Sequence, residues 1–129
     1  KGETLITVQD YTSGKLFDDA VSHAFYPVDL HTKTGVRPKP LKRGTVPSIP
    51  LGALVPKGSR NLIVAGRCVS SDRLANSGLR VQASCMGMGQ AAAAAATLAV
   101  QGNTTPSEVP LAKIHGLLKK HGAIIPGKA

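Results

Sequence analysis

Tryptophan is absent from this 129-residue chain, and aromatic residues make up only 3% of it. Any core must then be built from Val, Leu, Ile and Ala, whose burial is worth about 25 cal/mol per Å². Modest stability is expected, or a partner surface that completes the core. The length suits one ordinary domain. Acids are scarce: seven Asp and Glu stand against sixteen Lys and Arg, a net charge of +9. Such a balance bears on partners and solubility, not on fold. It does not point to nucleic acid. The basic residues are scattered between one loop (Lys33, Arg37, Lys39, Lys42, Arg43) and the end of the chain (Lys119, Lys120). Aromatics on which bases could stack are nearly missing. An acidic partner or the phosphates of a cofactor would offset the charge.

Long apolar runs are lacking too. None reaches the roughly 18 residues of a membrane-spanning helix, and Ala91–Val100 is short and rich in Ala, so no membrane span is expected. The two cysteines, Cys68 and Cys85, form neither a disulfide framework nor a C-x-x-C motif, and no His lies at zinc spacing around them. They read as buried thiols in a reducing compartment, which suggests a cytoplasmic location. A redox pair beside a cofactor is the sharper alternative. The chain starts at Lys1 rather than Met, with no visible leader, and is read as a piece of a longer protein.

What is present divides into short elements. Leu5–Val8 reads as a strand, and Leu16, Phe17, Ala20, Val21 and Ala24 fall at helical spacing with Asp18 and Asp19 in the first turn,. Residues 32–50 read as a proline-rich connection, with an edge strand near Val46–Leu54,. Leu62–Ala65 reads as a short strand covered on both faces, ended by Gly66,. Arg67–Val81 reads as a loop with at most a helical turn. An Ala-rich helix runs from about Gly87 to Gly102, and a final helix follows Pro110, with His115 and His121 on its surface,.

Gly87-Met88-Gly89-Gln90-Ala91-Ala92 matches G-x-G-x-x-A, with Glu108 further on. The dinucleotide fingerprint needs a second parallel strand ending at that acid. No apolar run precedes Glu108, so the match is set aside. Asp29 and His31 form D-x-H without further metal ligands,, so no metal site is expected. Ser70, Ser71 and Ser77 lack the surroundings of a catalytic triad.

The string Asn61-Leu62-Ile63-Val64-Ala65-Gly66-Arg67-Cys68, then Ser70, Ser71, Arg80-Val81, Met86 and Gly89-Gln90-Ala91-Ala92, resembles the closing section of FAD-dependent oxidoreductases. Phe17–Ala20, Tyr26–His31 and Ile49–Leu51 are similar to the segment before it. Ala93 stands where a glycine is commoner in the helix motif. The resemblance implies the C-terminal part of a glutathione-reductase-like two-domain flavoprotein, of class α/β or an α+β fragment of it. Residues 1–56 would end a substrate or cap region, and 57–129 would close the FAD-binding domain. The half holding the ADP moiety would lie outside this chain and act as its partner, unless a second copy of the chain covers the same surface.

The same resemblance assigns residues to the site. Ala65, Gly66 and Arg67 would approach the pyrophosphate and ribityl chain of FAD. Val81, Met86, Gly87, Met88, Gly89 and Gln90 would lie where a helix start meets the flavin. Arg80 is the catalytic candidate, a guanidinium fork for a small-molecule substrate's carboxylate or for the flavin, and His31 is the substrate-pocket candidate. An independent basic module that binds nucleic acid or an acidic protein is the competing reading.

Overall fold

Thr7 opens the first helix. Its hydroxyl accepts from the Asp10 amide at 3.2 Å, and the Asp10 carboxylate accepts from the Thr7 amide at 3.0 Å. This reciprocal box satisfies two donors that a helix start leaves orphaned. Helix α1 therefore spans Val8–Ser13, and Gly14 closes it at φ +70°, in backbone that favours glycine,. The strand expected over Leu5–Val8 is corrected accordingly, and only Ile6 keeps an extended pairing, bridged to Ser71. These features belong to a computed structural model that describes residues 1–36 and 38–127. Arg37 of the basic loop lies outside the described residues.

The helix expected over Leu16–Ala24 is a turn followed by strand β1, Ala20–His23. A short apolar segment fits either period, and the neighbour decides. Here β1 pairs antiparallel with β4, Ser48–Pro50, through Ala20–Pro50, Ser22–Ile49 and His23–Ser48. Asp19 serves no helix dipole. Its carboxylate accepts the Gly52 amide at 2.8 Å and its carbonyl the Leu51 amide at 2.9 Å, which pins the 3-10 turn Leu51–Ala53 after β4. The edge strand expected near Val46–Leu54 thus forms in shortened form. Between β1 and β4 an exposed hairpin, β2 (His31–Thr32) against β3 (Gly35–Val36), occupies part of the expected loop.

The loop expected over Arg67–Val81 contains helix α2, Arg73–Leu79. Asp72 caps it, one oxygen accepting from the Ala75 amide at 2.8 Å, while the other accepts from the Val8 amide at 2.6 Å. A single carboxylate thereby serves the starts of both α1 and α2. Helix α3 spans Gln82–Gln101 and α4 spans Leu111–Lys120. The start of α3 lies five residues earlier than expected, so Gly87 and Gly89 are inside the helix. Met88, Ala91, Ala95 and Ala99 are buried, and α3 packs on β1 and α4. A Cβ on Gly87 would collide with the Ser22 hydroxyl on β1, so the glycine sets how close the helix lies to the strand. His115 is not the surface residue expected: it is half-buried, its Nε2 2.8 Å from the Ala20 carbonyl.

The strand expected at Leu62–Ala65 does not form. Its Val64 amide donates to the Leu54 carbonyl at 2.8 Å, and Leu62 stays 51% exposed. A strand is defined by its ladder, and this one bond is the segment's only backbone pairing among the described residues. The core itself is continuous across residue 56, running from Ile6, Tyr11, Ile49 and Leu54 to Leu79, Met88 and Ile114. The fold is α+β, with four helices and two small antiparallel sheets among the described residues. By length and composition alone α3 could cross a membrane, contrary to the expectation that no segment could. Its buried small-residue face packed on β1 and α4 is that of a core helix.

Candidate functional site

Four of the basic side chains meet in one groove of about 400 Å³: Arg67, Arg73, Arg80 and His31 line it with Asp29 and Asn76. The local folding explains how. Asp29 is held because its amide donates to the Ser77 hydroxyl at 3.0 Å, and that hydroxyl donates to the Leu74 carbonyl at 2.6 Å, inside α2. Arg80 ends α2, where its Nη2 donates to the Asp29 carbonyl at 3.3 Å and lies 4.0 Å from the Asp29 carboxylate. His31 Nε2 sits 3.5 Å from the same carboxylate. Asn76 Nδ2 donates to the Arg67 carbonyl at 3.3 Å and ties the Gly66–Arg67 turn to α2. One carboxylate faces three guanidiniums, so the groove is electropositive. Among the described residues neither Arg67 nor Arg73 has an ion-pair partner.

Val81 follows Arg80 directly and is the N-cap of α3, with no side chain capping the helix. The amides of Gln82, Ala83 and Ser84 find no partner among the described residues. A 20-residue helix thus begins beside the groove with bare donors and roughly half a positive charge,. On the other side Gly66 has φ +97°, and a Cβ there would meet nothing within 4 Å. Conformation, not crowding, calls for glycine at that turn.

The structure brings Arg67, Arg80 and His31 together and sets Val81 next to them. Ala65 and Gly66 lead into Arg67 and are half-buried. Met86 to Gln90 scatter around α3 instead. Met86 is 71% exposed, Met88 is fully buried in the core, Gly87 packs on Ser22, and Gly89 faces open space. Gln90 lies 3.5 Å from the His121 carbonyl. The anion-favouring end of the helix is therefore at Val81–Ser84, not at the glycines. Arg73 and Asn76 were missed by the sequence reading, although Asp72 ahead of Leu74 and Ala75 is a helix-start signal that would have put both on one helix. Cys68 is exposed and Cys85 half-buried, and both are free thiols, which corrects the expectation that both are buried. Glu108, the acid of the discarded fingerprint, accepts from the hydroxyls of Thr104 and Thr105 at 2.9 and 2.8 Å. These bonds, that from Thr105 foremost, lower its pKa, and it closes a local turn.

Three guanidiniums line one groove, and the residue that follows Arg80 opens a long helix whose first amides are free among the described residues, an arrangement suited to anionic or phosphorylated groups,. The chain belongs to the FAD dependent oxidoreductase family, whose model matches residues 1–118, and FAD is that family's cofactor. No curated protein and no solved structure matches the chain. Among the described residues the donors suit FAD: unpaired amides at Gln82–Ser84, Arg67 without an ion-pair partner, and the open backbone at Gly66.

Proposed function

We propose that the chain is the C-terminal portion of a glutathione-reductase-like flavoprotein that oxidises or reduces a small molecule. In this reading residues 1–56 end the substrate or cap region, and 57–129 complete the FAD-binding domain. The observation that carries it is the uncapped start of α3 beside the Arg80 groove. FAD, when bound, supplies the electron and hydride chemistry. The first-turn amides of α3 stabilise negative charge at that edge, worth about 0.3 to 2 kcal/mol. Gly66 and Arg67 approach the phosphates, and Val81 borders the cofactor. Gly87, against Ser22, seats that helix on β1, and Met86, Gly89 and Gln90 lie further along it.

Arg80 is the proposed catalytic residue. Its Asp29 contacts hold the guanidinium in place while leaving donors of the fork for a carboxylate,. His31, against the Asp29 carboxylate, is positioned to hold a proton at Nε2 near the bound substrate. The half-exposed apolar segment Leu62–Ala65, with one backbone bond, supports docking of the remaining FAD-binding half or a second copy,. The free thiols fit a reducing compartment such as the cytoplasm,.

The test is Gln82→Glu in the full-length gene product. Gln82 is exposed in the first turn of α3. A carboxylate there suits the helix dipole but competes with a bound anion. Unchanged or raised thermal stability of the apoprotein with reduced flavin retention is expected. Unchanged flavin content would remove the helix start from the cofactor site. A wild-type full-length protein with no flavin absorbance would overturn the proposal and favour the basic binding module.

A further inference from the structure

The extended segment Val28–Thr32 has two different sides. Asp29 and His31 face the cationic groove, whereas Val28 and Thr32 face a second cavity, and Leu30 borders both. This alternation is the period of an extended chain. The second cavity is much larger, about 1160 Å³, open to solvent on one side and bordered by α1, the start of α2, the β2–β3 hairpin and residues 39–42. Its size matches a small-molecule pocket rather than a packing defect.

The lining is apolar in composition, with Val8, Val28, Leu30, Pro40, Leu41 and Leu74 as its walls. Its hydroxyls are largely spoken for. Thr12 Oγ1 donates to the Val8 carbonyl at 2.8 Å, and Thr32 Oγ1 to the Gly35 carbonyl at 2.7 Å. Among the described residues, the charged ones of the wall are Lys39 and Lys42, and no acid lines it. Neither lysine has an ion-pair partner among the described residues. The Lys39 backbone is fixed by a reciprocal pair with Val28, at 2.8 and 3.0 Å, which holds this residue at the cavity wall. Apolar surface with cationic donors at one side is complementary to one ligand class, an apolar body carrying a single anionic group.

We propose that this cavity binds an amphipathic carboxylate, its hydrocarbon part against Leu30, Leu41 and Leu74 and its carboxylate at Lys39 and Lys42. The proposal goes beyond the flavin reading and does not depend on it, because the binding is read on the chain itself. The experiment is calorimetric titration of the 129-residue chain with decanoate, below micelle formation, and with decan-1-ol as the uncharged control. Saturable decanoate binding, at least tenfold tighter than decanol, is expected. Lys39→Glu/Lys42→Glu should weaken decanoate at least tenfold and leave decanol unchanged. Leu74→Asp, at a 40% exposed site on α2, should weaken both. Circular dichroism of each variant identical to wild type establishes that the fold is kept. Equal binding of decanoate and decanol, decanoate binding that survives both variants, or no saturable binding to the wild-type chain would each overturn the proposal.

Discussion

The surroundings of Tyr11 and the segment Leu62–Arg67 are both apolar, yet they end in opposite states. Tyr11 is fully buried, its hydroxyl donates to the Tyr26 carbonyl at 2.9 Å, and Gly78 of α2 lies against its ring. Leu62–Ala65 is a continuous apolar run, which Tyr11 lacks around it in the sequence, yet it gains one backbone bond and leaves Leu62 half exposed. The difference is not hydrophobicity. Tyr11 has neighbours on all sides inside the chain, brought by the α1 and α2 caps, whereas the Leu62 segment is covered on one side only, where Ile63 and Ala65 touch the core. An apolar run specifies burial, and only a partner surface delivers it.

The largest effect that would break this comparison is expected at Gly78. A Cβ there would lie 2.6 to 2.7 Å from the Tyr11 hydroxyl and ring atoms, and the buried ring has little room to yield. Gly78→Ala should cost about 2 kcal/mol by overpacking, despite Ala's better helix propensity, read as a lower Tm. An unchanged Tm would mean the Tyr11 core is loose.

Next is Tyr11→Phe, which leaves the Tyr26 carbonyl without its donor and should cost about 1 kcal/mol. Burial pushes the Tyr11 pKa up to about 12 from 10.0. Since the folded value is the higher, the neutral phenol favours the fold below pH 10, and that contribution is lost as pH rises from about 10 toward 12. Wild type should therefore lose stability in that window and Tyr11→Phe should not, as pH-dependent denaturation curves would register.

Gly89→Ala sharpens the contrast with Gly78. Nothing lies within 4 Å of the added methyl, so helix propensity alone acts and stability should rise by about 0.5 to 1 kcal/mol. A fall in Tm would mean that α3 has a close neighbour at that position. Smallest is Leu62→Ser, expected to change the stability of this chain by less than about 0.5 kcal/mol. In the full-length protein it should cost more, and equal effects in the two forms would show that nothing covers the segment.

The sequence by itself determined the elements whose causes are local. The Ala-rich run and Gly102 made α3 legible at its end, Pro110 and Gly122 bracketed α4, and the residues around Arg67 and Arg80 pointed to the FAD family. The α1 capping box and the Asp72 cap were equally local and were overlooked. Only the tertiary structure decided the rest. Ala20–His23 became a strand because Ser48–Pro50 lies beside it, and Leu62–Ala65 did not because its pairing stops at one bond, to Leu54. The start of α3 moved to Gln82, so the bare amides adjoin Arg80 rather than Gly87. Arg67, Arg73, Arg80 and His31 share a groove because Ser77 of α2 anchors the distant Asp29 loop and Asn76 the nearby Arg67 turn. Helix propensity and capping act within a few residues and can be read along the chain. Strand pairing and charge convergence depend on which distant segments meet, and that is settled only when the core packs.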